Sequence, residues 1–141
     1  MAGHSGETLP GRERFELRLV VADDTPSLGT LRTSIAEALP ELADDVVADV
    51  QLVATELVTN AYLHGEPPVT FRLLASAEHG RLRVEMFDSG PGAPTVRRPG
   101  STDPHGRGLL LVDGYSLGWG VTREPAGKTV WAEFAMFTQE G

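Results

Sequence analysis

The chain has no cysteine. Disulfides, thiolate metal sites and cysteine nucleophiles are excluded together, and a cytoplasmic location is the expectation. Lysine is almost as scarce: Lys128 is the only one among twelve basic residues. Against twenty Asp and Glu, these leave a formal charge of −8. Such a balance argues against a nucleic-acid partner, because phosphate contacts need a basic footprint. It leaves a nucleotide open, since backbone N–H groups and a metal hold a small phosphate ligand whatever the net charge. No apolar run approaches the ~18 residues of a membrane span, and Asp113 splits even GLLLVDGYSLGWGV. The first dozen residues lack a basic segment followed by an apolar one, so neither a signal peptide nor a membrane partner is expected. His4, His64, His79 and His105 show no metal-ligand spacing, and no nucleophile-elbow motif is present.

What remains is ordinary globular composition, 40% hydrophobic and 23% charged over 141 residues, one domain by length. Residues 1–13 read as a flexible tail, and 14–141 as the domain. RFELRLVV (14–21) alternates as a half-buried strand. A helix is expected over 23–39, with Thr25 as N-cap and Pro26 at its first position. A second helix starts at Asp44 and Asp45, whose charges suit a helix N-terminus. It closes at Gly65 ahead of Pro67 and Pro68, with Val46, Val50, Val53, Leu57 and Ala61 on one apolar face. Strands near 69–75 and 81–88 form a hairpin across SAEHG. A Gly- and Pro-rich loop then leads to a short helix from GRGLLLVDGYS, and a last hairpin pairs 116–124 with 128–137. The order predicts an α+β, two-layer sandwich: a mixed, mostly antiparallel sheet with helices on one face.

Three stretches carry candidate chemistry. Glu56 and Asn60 stand four apart on the second helix, hence one turn apart on nearly the same side; a solvated polar stripe is the plain alternative. In FDSGPGAP, Asp88 ends an apolar strand, and Gly90 and Gly92 follow at alternate positions. That is either a capped turn or a bare backbone floor for a flat ligand, with the carboxylate accepting from the exocyclic amine of adenine. Guanine offers a carbonyl there, and two facing acceptors cost about 1–3 kcal/mol or more. In HGRGL, Gly106 and Gly108 sit where a loop enters a helix, so free N–H groups suit an anion, and Arg107 adds a charged donor. PAGKT imitates the end of a P-loop, but Thr122 stands where that motif needs glycine and no helix follows; it reads as a hairpin turn.

In this order the parts resemble the ATP-binding domain of gyrase, Hsp90, histidine kinases and MutL. ELVTNAYLHG matches the first motif, DSGPG the second, HGRGL, ending in Leu109, the third, and GKTVWAEF the last strand. Within that superfamily the chain is most similar to the small anti-sigma-factor serine kinases. A complete histidine kinase or a gyrase-like machine would need segments not seen in this sequence. The resemblance implies ATP and magnesium as cofactors, with Asn60 as the metal ligand and Glu56 as general base toward a partner's serine. It further implies that Asp88 reads adenine, that Gly90 and Gly92 allow close approach, that Gly106, Arg107 and Gly108 close over phosphate, and that Thr129 lies near the base. Its implied partners are an anti-sigma-factor antagonist protein that accepts phosphate on serine, a sigma factor, and a second copy of the chain. The segment 93–105, with Arg97 and Arg98, reads as a shortened lid or a solvated loop. A nucleotide-gated binding module without transfer, or a simple ATPase, remain the alternative functions.

Overall fold

A computed structural model of the chain describes residues 4–9, 14–21, 27–66, 68–76, 79–90 and 104–137. Strands β1 (His4–Leu9) and β2 (Arg14–Val21) precede helices α1 (Leu28–Ala38) and α2 (Asp44–His64). Strands β3 (Val69–Ser76) and β4 (Arg81–Asp88), helix α3 (Pro104–Tyr115), and strands β5 (Gly118–Glu124) and β6 (Gly127–Ala135) follow. The six strands form one sheet in the order β1-β2-β3-β4-β6-β5. Each described pairing is antiparallel, so the expected mixed character is absent among the described strands.

The tail expected over residues 1–13 is corrected at His4–Leu9, which pair with β2 from His4↔Leu19 to Leu9↔Arg14. HSGETL lacks the strict apolar alternation that marks a half-buried strand, so its pairing with β2 was not legible locally. The start of α1 is also corrected: Ser27 is the N-cap, its Oγ accepting from the Thr30 N–H at 3.4 Å and donating to Thr30 Oγ1 at 2.7 Å. Thr25 and Pro26 lie outside the described residues.

Helix α2 follows its sequence pattern closely. Val46, Val50, Val53, Ala54, Leu57, Val58 and Ala61 are buried, at the 3–4 residue spacing of a core-facing stripe. Asp44 and Asp45 occupy its first turn, where negative charge complements the helix dipole. It ends at Gly65, whose N–H donates to the Ala61 carbonyl at 2.8 Å. That glycine has φ −95°, ψ −172°, extended rather than left-handed, so its identity answers to space, as described below.

The sheet has two unlike faces. Phe71↔Met86 and Leu73↔Val84 continue into Met86↔Val130 and Val84↔Ala132, and these residues are buried. Helix α2 packs against β3, β4 and β6 on this side, and α1 and α3 pack on α2. On the opposite face Glu85 joins Arg72 at 3.1 Å and Arg83 at 2.8 Å, and Arg83 reaches Glu133 at 3.0 Å. The Arg83 guanidinium lies 4.4 Å from the Trp131 ring centroid. Partly exposed pairs of this kind contribute modestly, so the apolar face carries the stability. Phe71→Ala, at a fully buried position, is expected to cost about 3–5 kcal/mol in urea unfolding. Thr122→Ala, on exposed β5, is expected to stay within ~0.5 kcal/mol.

Candidate functional site

Asp88 is the last residue of β4, and its register partner is Lys128. Partners across an antiparallel pair share a face, and this is the face that carries Met86 and Val130. Asp88 is 1% exposed and Lys128 5%. The Lys128 ammonium donates to Asp88 Oδ1 at 2.8 Å, and the Gly90 N–H donates to the same oxygen at 2.9 Å. Lys128 also points a longer contact of 3.5 Å at the Gly90 carbonyl. Neither contact to the carboxylate uses Oδ2.

Three glycines let the backbone close around this pair. A Cβ on Gly65 would stand 2.5 Å from Asp88 Cγ and 2.8 Å from its Oδ1. One on Gly90 would stand 3.0 Å from Oδ1, and one on Gly127 would collide with the Asp88 carbonyl. Only backbone without a side chain fits there. Ser89 completes the junction: its N–H and its hydroxyl both donate to the Glu66 carbonyl, at 2.9 and 3.1 Å. The end of β4, the end of α2 and the start of β6 are thus tied at one point. The negative end of the α2 dipole lies beside the carboxylate, and both favour the ammonium.

Along α2 the other candidates follow in sequence. Asn60 lies about 7.5 Å up the helix axis from Gly65, and Glu56 about 6 Å further, at ~1.5 Å per residue. Both are half-buried and flank the apolar stripe, whereas Leu63 and His64 beyond them are exposed.

Helix α3 begins at Pro104, two residues before the expected Gly106. Gly106, Arg107 and Gly108 therefore belong to its first turns rather than to the loop ahead of it. The backbone N–H groups of the first turn have no partner within the helix. Leu109 is 1% exposed and Val112 fully buried in the core, so both hold α3 in place. Gly92, Arg97 and Arg98 lie outside the described residues.

The structure does not bring Thr129 to Asp88. It pairs with Phe87 and Thr122, one residue out of step with Lys128 and hence on the other face, where its hydroxyl donates to Glu124 at 3.0 Å. The residue at the carboxylate is Lys128, which sequence reasoning passed over as part of a turn. A signal was present: the alternation Lys128, Val130, Ala132, Phe134 directs a lysine to the apolar face of its own strand.

The arrangement is a buried carboxylate with an acceptor edge, an ammonium donor beside it, and bare backbone on several sides. A family model described as the histidine kinase-like ATPase domain matches residues 20–134. The crystal structure of the RsbU and RsbW domains of Rv1364c from Mycobacterium tuberculosis is similar at a TM-score of 0.63 with 18% identity. That match covers 89% of this chain but 34% of the mycobacterial chain, so this chain spans about a third of that protein. A histidine kinase domain from the Erythrobacter litoralis EL346 blue-light activated histidine kinase aligns at 25% identity and a TM-score of 0.48, over 77% of this chain and 59% of that one. No curated protein sequence matches.

Removing one member of a buried pair strands the other charge, at about 3–5 kcal/mol. Asp88→Asn and Lys128→Met are each expected to fall in that range by denaturant unfolding. The double variant is expected to lose clearly less than the sum, because no charge is left unpaired; simple additivity would show that the two side chains do not depend on each other.

Proposed function

This chain belongs to the histidine kinase-like ATPase family, and from that premise we propose that it binds ATP with the base at Asp88 and transfers the terminal phosphoryl group to a serine of a partner protein. The observation that carries the reading is the buried Asp88 carboxylate, with Gly65 and Gly90 against it and Gly127 against its backbone. A base that donates its exocyclic amine to the carboxylate is what such a buried acceptor suits.

The order of groups along α2 supports the rest. Base, phosphates and acceptor succeed one another along a bound nucleotide, and Gly65, Asn60 and Glu56 succeed one another along the helix. Asn60 offers an amide oxygen to magnesium, a hard cation that keeps waters and takes most of its protein-side ligation from one or two oxygens plus phosphates. Bound there, magnesium would neutralise charge on the phosphates.

In the transfer step Glu56 takes the proton of the partner's serine hydroxyl. The serine oxygen forms a bond to the γ-phosphorus as the bond to the β,γ-bridging oxygen breaks, and ADP leaves with that electron pair. Backbone N–H groups at the start of α3 are suited to phosphate oxygens, because a helix N-terminus favours negative charge. The sequence motifs ELVTNAYLHG and HGRGL further support a regulator of the anti-sigma type. Its acceptor would be a small antagonist protein, a sigma factor its second partner, and a homodimer its working form.

With labelled terminal phosphate and extract of the native cell, the unmodified protein is expected to label a small protein. Glu56→Ala is expected to keep ATP affinity within a few fold and lose transfer by at least about 100-fold, and Asn60→Ala to lose the magnesium requirement together with activity. Labelling undiminished in Glu56→Ala would remove the base from that position. ATP binding without any labelled product would favour the nucleotide-gated module, and free phosphate without acceptor a simple ATPase.

A further inference from the structure

We propose that Lys128 reads the base jointly with Asp88, donating a hydrogen bond to N1 of adenine while Asp88 accepts from the exocyclic amine. This inference rests on the ATP reading given above and extends it to a residue outside the sequence motifs. An ammonium has three N–H donors. One is committed to Asp88 Oδ1 at 2.8 Å, and a second makes only the 3.5 Å contact to the Gly90 carbonyl. Among the described residues, at least one donor thus meets no acceptor. The carboxylate is oriented by two donors on a single oxygen, and neither of them takes Oδ2. Oδ2 and Nζ therefore offer an acceptor and a donor side by side. The Watson–Crick edge of adenine offers the matching sequence, an amine donor adjacent to a ring-nitrogen acceptor.

The pairing also accounts for a lysine in a place where an apolar residue would pack more simply. A buried ion pair is weak evidence for stability, because desolvation offsets its attraction. Its value here is orientation: the ammonium and the Gly90 N–H hold one carboxylate oxygen, and a side chain at residue 65 or 90 would crowd the carboxylate. A carboxylate alone discriminates by its acceptor, whereas the pair also senses the next atom along the edge. Guanine, held the same way, would face its carbonyl to Asp88 and its N1–H to Lys128, and could reverse that only by turning the base over.

The test compares ATP with 1-deaza-ATP, in which N1 is replaced by C–H, and with GTP, by titration calorimetry with magnesium. Hydrogen bonds to charged groups are worth roughly tenfold to a hundredfold in affinity. The unmodified protein is expected to bind 1-deaza-ATP weaker by that factor, and GTP weaker still. Lys128→Met, checked for its fold by circular dichroism, is expected to bind ATP no better than the analogue and to lose discrimination between them. Equal binding of ATP and 1-deaza-ATP by the unmodified protein would overturn the role of Lys128 while leaving the ATP site intact, and needs no variant to fold. GTP binding as tightly as ATP would overturn the adenine pairing. Failure of the unmodified protein to bind any of the three would overturn the ATP reading itself, and this inference with it.

Discussion

The buried pair of Asp88 and Lys128 is the constraint around which the rest of the structure is arranged. Two opposite charges out of water are tolerated only when each finds its partner at hydrogen-bond distance. At 2.8 Å, with a further donor from Gly90, that condition is met. Meeting it fixes the register of β4 against β6, because a slip by one residue would turn Lys128 to the polar face and leave the carboxylate alone. It fixes the end of α2 too, since Gly65 must come close enough to exclude any side chain. Secondary structure, packing and the candidate site thus meet at one electrostatic contact.

From that junction the two faces of the sheet acquire different duties. One buries Phe71, Leu73, Val84, Met86 and Ala132 beneath α2 and supplies the hydrophobic free energy. The other carries the Arg72, Glu85, Arg83 and Glu133 ladder with Trp131, which keeps a wide sheet face polar. The helix that covers the first face is also the one that bears Asn60 and Glu56. Its buried stripe holds it rigidly on the sheet, so the half-buried flank beside that stripe is held at a defined distance from Asp88. A rigid element is what positioned chemistry requires.

Much of this was legible in the sequence wherever a period was strong. The bounds of α2 followed from its apolar stripe, its acidic start and the Gly–Pro signals at its end, and β3, β4 and the last hairpin followed from alternation. Strand β1 was not legible, because HSGETL has no alternating apolar face and gains its hydrogen bonds only from the partner strand. The start of α1 at Ser27 was missed because Thr25–Pro26 satisfies the same capping rules two residues earlier. At the site, the Gly90 N–H donates to the Asp88 carboxylate. Thr129 was read as near the base by resemblance alone, and the register puts Lys128, not Thr129, opposite Asp88. A lysine in a strand ordinarily signals an exposed edge, and its true surroundings depend on Asp88 forty residues away, which no local pattern reveals.

Lys128 being the only lysine also makes the central claim, that ATP binds at the Asp88–Lys128 junction, directly observable. Protein labelled with nitrogen-15 in lysine alone yields a single side-chain nitrogen resonance, to be followed by NMR as ATP and magnesium are added. The account predicts a saturable shift of that resonance with one nucleotide bound per chain. A resonance unmoved while calorimetry reports bound ATP would put the nucleotide elsewhere on the protein and contradict the account.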